Sequence, residues 1–174
     1  MIGLNSRKLS GGGYYTVSDG LVFVFREQKM QAQRELTDYK FFCFSGEPVY
    51  CQVIADRTSH ETIDFYDMNW EHQEFTGLHT PRCPFPHAKE KQKKPKCFEQ
   101  MIWLVKQLCS GIDMPFVRID LYDIGGKPYF GEITFFPASG FGVFEPEEWN
   151  YKFGEMIELR DVIKGNETLN MVYK

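Results

Sequence analysis

Arg118, Asp120, Glu132 and Thr134 are the residues whose types and spacing could do chemistry. They lie in the stretch Pro115–Pro137, where Val117, Ile119 and Leu121 alternate with Arg118, Asp120 and Tyr122, the period-two pattern of a half-buried strand. Asp123-Ile124-Gly125-Gly126-Lys127 supplies turn residues that tolerate positive φ, and a return strand repeats the alternation. A two-residue Gly125-Gly126 turn would pair Ile124 with Lys127 and set Glu132 beside Ile119, on the apolar face, so that register is rejected. A slip of one residue pairs Val117 with Phe135, Ile119 with Ile133 and Leu121 with Gly131. The other face then carries Arg118 opposite Thr134, Asp120 opposite Glu132, and Tyr122 opposite Phe130. Directly opposed like charges are unfavourable, by about 3 kcal/mol at a separation of ~5 Å and an effective dielectric of ~20. A divalent cation would offset that repulsion, and hard carboxylate oxygens suit Mg²⁺. Two carboxylates facing bulk water would also be inexpensive, and the residues alone leave this simpler reading open.

The elements that must position this hairpin are mostly strands. Tyr14–Val17 and Leu21–Arg26 read as a short hairpin around Ser18-Asp19-Gly20, after an unstructured end at residues 1–13. Ser10-Gly11-Gly12-Gly13 lacks a full phosphate-loop pattern. Glu27–Glu35 is polar, a helix or a loop. Asp38–Ser45, Val49–Asp56 and Thr62–Tyr66 form an antiparallel meander dense in β-branched and aromatic residues. Asp38 and Lys40 share a face with Phe42 and Phe44. Lys40 is either an edge-strand lysine that discourages aggregation or an ammonium aimed at an anion in a cleft. Asp67–Pro86 reads as a long irregular loop, and the order His72, His79, Cys83, His87 could hold zinc, although the spacing is not that of a known finger. Ala88–Lys96, with five lysines, reads as a solvated loop. Cys97–Ser110 is a helix with Phe98, Met101, Ile102, Val105 and Leu108 on one stripe and Gly111 as its stop. A second, short helix runs from Glu145 to about Leu159.

The 174 residues suit one domain, and 43% hydrophobic with 16% aromatic residues suffices for a core. A net charge of −4 gives no reason to expect nucleic acid. No apolar run approaches the ~20 residues needed to span a membrane, and the N-terminus has no secretory pattern. Five cysteines, an odd number without CxxC spacing, point to a reducing compartment, so the expected location is the cytoplasm.

The pattern Arg118-x-Asp120, eleven residues, Glu132-x-Thr134, then a Pro137–Gly140 loop resembles the metal-binding end of the ATP-grasp superfamily, where Arg-x-Asp and Glu-x-Asn precede a proline/glycine loop. Asp38-Tyr-Lys-Phe-Phe-Cys-Phe-Ser-Gly-Glu-Pro, Asp64-Phe-Tyr-Asp-Met-Asn-Trp, Val117-Arg-Ile-Asp-Leu-Tyr and Gly131-Glu-Ile-Thr-Phe-Phe-Pro-Ala-Ser-Gly-Phe resemble, more closely, the TupA-like ATP-grasp proteins. These are often encoded with polysaccharide and cell-envelope synthesis enzymes and are frequently labelled glycosyltransferases. The resemblance implies an α+β fold, an antiparallel sheet with a few packed helices like the C-terminal part of ATP-grasp. It implies an ATP-grasp-like domain at residues 35–160, a weakly matched segment at 1–34 and a tail at 161–174. It also implies ATP and Mg²⁺ as cofactors. Asp120 and Glu132 match the metal ligands, with Thr134 at the asparagine position as the third, and Arg118 matches the arginine that stabilises the acyl-phosphate transition state. Asp38 and Lys40 fall on the nucleotide and phosphate side, and Ser139 and Gly140 on the substrate loop.

The function so implied is a Mg²⁺-dependent carboxylate ligase, or part of one, in cell-surface polysaccharide or envelope synthesis. Its partners would be a nucleotide, a small-molecule substrate and a second chain supplying an N-terminal half, since the first ~35 residues match that half weakly. One alternative is a non-catalytic remnant that acts as a binding partner in a polysaccharide-assembly cluster. The other is a glycosyltransferase, which ranks lower because the chain has no Asp-x-Asp motif and no alternating βα pattern.

Overall fold

The computed structural model describes the backbone of residues 5–9, 12–17 and 21–25, and residues 37–56, 60–79 and 86–158. Three N-terminal strands, β1 (Asn5–Leu9), β2 (Gly12–Val17) and β3 (Leu21–Phe25), form an antiparallel sheet of their own. The β2–β3 hairpin agrees with the sequence. Asn5–Leu9 does not: where an unstructured end was expected, it pairs along its whole length with residues 12–16 of β2. Glu27–Glu35 lies outside the described residues.

The main body is a six-stranded antiparallel sheet. Its strands are β4 (Asp38–Phe44), β5 (Glu47–Ala55), β6 (Thr62–Asp67), β7 (His72–Gln73), β9 (Phe116–Asp123) and β10 (Pro128–Thr134), in the order β10-β9-β4-β5-β6-β7. A separate two-stranded ribbon joins β8 (Thr76–His79) to β11 (Val143–Glu145). Asp67–Pro86 is therefore not irregular throughout, because β7 extends the sheet edge and β8 builds the ribbon. Helix α1 (Phe98–Cys109) and helix α2 (Glu148–Glu155) complete an α+β fold of the expected class.

Each strand sends alternate side chains to opposite faces, so the sheet has two cores. On one face Tyr39, Phe41, Cys51, Val53, Val117, Ile119 and Leu121 pack under α1, whose Phe98, Met101, Leu104 and Val105 are buried. At roughly 1.5–3 kcal/mol for each large apolar side chain removed from water, this stripe is what holds the helix. On the other face Phe42, Phe44, Ile54, Ile63 and Phe65 pack against Phe75 and against Phe153 of α2. This second core covers only part of its face. Toward one end of the strands the apolar side chains give way to Asp38, Lys40, Gln52, Arg118 and Asp120, all buried.

Candidate functional site

The site grows from the β9–β10 hairpin, and the structure corrects its register. At the turn, the Ile124 N–H donates to the Lys127 carbonyl at 3.0 Å, and Gly125 and Gly126 have φ of +65° and +78°. That is the two-residue Gly-Gly turn of the primed type that twisted hairpins favour, and Phe130 pairs with Leu121 and Tyr129 with Tyr122. Farther along, Ile133 pairs with Ile119 and Thr134 with Arg118, as the burial argument requires. A single register satisfies only one half of the hairpin; the chain uses both, separated by a bulge between Phe130 and Ile133. Gly131 permits it. A Cβ there would stand 2.9 Å from the Asp120 backbone carbonyl oxygen and 3.0 Å from Tyr122 Cε2. Gly131→Ala should therefore displace the bulge and Glu132 with it. The expected result is a stability loss within the usual ~0.5–3 kcal/mol for a point variant, measured by urea unfolding, with disproportionate loss of ligand affinity.

Next to this hairpin, β4 pairs with β9 so that Lys40 stands opposite Asp120, and Phe42 opposite Arg118. Lys40 is thus on a central strand and buried, which removes the edge-strand reading. Its ammonium donates to Asp120 Oδ2 and stands 4.0 Å from Asp38 Oδ2. Arg118 reaches Asp120 through both Nε, 2.8 Å from Oδ1, and Nη2, 2.9 Å from Oδ2. The same Nη2 donates to Glu132 Oε1 at 2.9 Å and to Thr134 Oγ1 at 3.0 Å. The opposed carboxylates expected from sequence are therefore separated by a guanidinium, and their repulsion is compensated by charge the chain itself supplies.

Electrostatics differ between the two acids. Burial pushes the Asp120 carboxyl above the ordinary aspartate range, against the pull of Arg118 and Lys40. Glu132, whose side chain is 62% exposed, pays less for desolvation. Hydrogen bonding with Asp120 and the charges of Lys40 and Arg118 outweigh that cost and draw its carboxyl below the ordinary range.

These groups line a cleft of about 630 Å³ on the α2 side of the sheet, a size that suits a small-molecule ligand. Asp38, Glu61, Asp120 and Glu132 line it with Lys40 and Arg118, so the lining has a net formal charge of −2. Gln52 and Glu61 are members that the sequence reading did not single out. Gln52 was detectable as a polar residue inside a run of apolar ones, and it pairs with Lys40 across β4 and β5. The Pro137–Gly140 turn brings Ala138 to the cleft wall. Ala138 and Ser139 hold φ of +49° and +56°, a left-handed conformation that costs of order 1 kcal/mol or more for a non-glycine residue and that clusters at ligand-binding sites. Ser139 and Gly140 are exposed beside Ala138 and are not among the lining residues.

Arg118 Nη2 marks a point within 3.0 Å of one oxygen each from Asp120, Glu132 and Thr134. The three oxygens expected to ligate a metal thus converge on a single position where a cationic atom already stands. Hard oxygen donors, a convergence point and a net-negative lining fit Mg²⁺.

The zinc reading fares differently. The side chains of His79 and Cys83 lie outside the described residues. His72 and His87 do meet, but on the carboxylate of Asp64, which the sequence reading did not connect with them.

A family model described as TupA-like ATPgrasp matches residues 14–158, from within β2 to just beyond α2. No curated protein and no solved structure gives a significant match. The family match spans most of the chain and includes the Arg118, Asp120, Glu132 and Thr134 that converge in the cleft: the chain belongs to the TupA-like ATPgrasp family.

Proposed function

We propose that the cleft carries Mg²⁺-dependent ATP-grasp chemistry, in which ATP phosphorylates a carboxylate to an acyl phosphate with release of ADP, and an amine or similar nucleophile then takes the acyl group with release of phosphate. The setting proposed is cytoplasmic synthesis of cell-surface polysaccharide or envelope material. The observation that carries this reading is the convergence of the Asp120, Glu132 and Thr134 oxygens on one cation position beside Lys40. Asp120 and Glu132 would hold Mg²⁺, with Thr134 as a third oxygen, and the ion would supply charge neutralisation for the transferring phosphoryl group.

The chain's own cations do the rest. Lys40, fixed on a central strand, offers a point charge to phosphate, with Asp38 beside it. Arg118, once its Nη2 is no longer needed to bridge two carboxylates, presents a planar fork to the charge that builds on the acyl phosphate and on the tetrahedral adduct. The turn at Ala138–Gly140, which sets Ala138 in the cleft wall, would lie against the second substrate. Titration calorimetry with ATP tests this. Heat that requires Mg²⁺ is expected for the wild type, and Glu132→Ala, an exposed position, should weaken binding by at least about tenfold, or 1.4 kcal/mol. No heat with the wild type, or Glu132→Ala indistinguishable from it, refutes the reading.

A further inference from the structure

We propose that Asp64, His72 and His87 form a second metal site, specific for a zinc-class divalent transition metal and independent of the nucleotide cleft. Asp64 sits on β6 opposite Val53, on the α1 face of the sheet, whereas its neighbour Ile63 lines the cleft on the other face. His72 Nε2 stands 2.8 Å and His87 Nδ1 2.9 Å from the same oxygen, Asp64 Oδ1. All three ligand atoms lie within 4.8 Å of one another, from three separate segments of the chain.

The surroundings fix each ligand. The Asp64 side chain is 2% exposed, and its second oxygen, Oδ2, accepts the Ala88 N–H at 3.1 Å, which aims Oδ1 at the two rings. His87 is held on both sides, by that Ala88 bond and by the Pro86 carbonyl, which accepts the Ile63 N–H at 3.1 Å. His72 pairs with Tyr66 across β6 and β7, and its ring packs edge-on against the Tyr66 ring at 5.3 Å. His72 therefore lies diagonally across from Asp64, on the same face of the sheet. The His87 side chain is 37% exposed and gives an ion access from solvent.

The donor set chooses the metal. Two imidazole nitrogens and one carboxylate oxygen suit zinc-class ions and not Mg²⁺ or Ca²⁺, which prefer all-oxygen shells. Without metal, both rings donate N–H to Oδ1. Metal binding requires the lone pairs of His72 Nε2 and His87 Nδ1 to face the ion, so each neutral ring carries its proton on the other nitrogen. One coordination position remains for water. The ion would clip β6, β7 and the segment leading to α1 together.

Co²⁺ in place of Zn²⁺ gives a visible d–d spectrum that tests this on the full chain without nucleotide. The expected result is uptake of one Co²⁺ per chain with a low-symmetry spectrum, displaced by Zn²⁺, and a rise in the melting temperature on Zn²⁺ addition. His72→Gln and His87→Gln should each weaken binding by more than the ~10–100-fold typical of losing an outer-shell partner. Because His87 is partly exposed, its replacement tests the site without emptying the core. Glu132→Gln should bind as the wild type does, which separates this site from the cleft. Absence of Co²⁺ uptake, or uptake unchanged in both histidine variants, overturns the proposal.

Discussion

Replacing Asp120 with alanine is expected to lower stability by about 3–5 kcal/mol and to abolish Mg²⁺-dependent nucleotide binding. The cost does not come from losing a strong attraction. Burial holds the Asp120 carboxyl above its ordinary range, so desolvation outweighs the pull of its two cationic partners, and the ion pair as a whole stabilises little. The cost comes from what remains. Lys40 and Arg118, with side chains only 9% and 11% exposed, would lose the carboxylate that now accepts from both. A compensating variant separates stability from function. Asp38→Asn, Lys40→Met, Arg118→Met and Asp120→Leu together remove the buried charges of this face and should recover most of the lost stability while remaining unable to bind nucleotide. Glu132→Ala should do the reverse, costing under about 1 kcal/mol because its ion pair is largely solvated, yet losing binding. Urea unfolding alongside calorimetry reads both quantities. An Asp120→Ala protein within 1 kcal/mol of the wild type would sink the argument.

Local patterning carried much of this. Alternation in Phe116–Asp123 placed Arg118 and Asp120 on the polar face of their strand, alternation in Asp38–Phe44 placed Lys40 on one face with Asp38, Phe42 and Phe44, and the resemblance of the Arg118–Thr134 pattern to ATP-grasp proteins pointed to the oxygens that converge. What it could not supply was strand order. Nothing in Lys40 or its neighbours says that β4 lies between β5 and β9, and that placement turns an apparent edge lysine into a buried cation opposite Asp120. The bulge at Gly131 was missed for a related reason. Each half of the hairpin follows a different rule, turn chemistry at Gly125-Gly126 and burial at Ile119–Ile133, and a one-register reading can satisfy only one of them. Asp64 was passed over because a carboxylate within a strand is not a metal motif until His72 and His87, eight and 23 positions away, arrive beside it.

Phe75→Ala should cost about 3–5 kcal/mol, as truncation of a fully buried phenylalanine commonly does, and should also weaken nucleotide binding. Phe75 stacks on Trp149 of α2 at 3.9 Å and packs on Phe65 of the sheet at 4.6 Å, with Tyr50 and Phe153 completing its surroundings. It thus ties α2 to the sheet immediately before β8. The β8–β11 ribbon depends on the same packing: Phe144 covers Gly77 so closely that a Cβ there would meet the ring at 2.2 Å. Leu78 on this ribbon and Ala138 of the adjoining turn line the cleft together with Lys40 and Arg118. Loosening Phe75 therefore moves a wall of the site although Phe75 does not line it. Phe98→Ala gives the control. Phe98 is equally buried and stacks on Phe41 at 5.8 Å, but on the α1 face of the sheet. Its loss should cost a similar ~3–5 kcal/mol and leave affinity unchanged under conditions where the protein remains folded. If Phe75→Ala also keeps full affinity, the ribbon is not a working wall of the cleft. If both variants lose affinity equally, the effect follows from stability alone and not from the position of the wall.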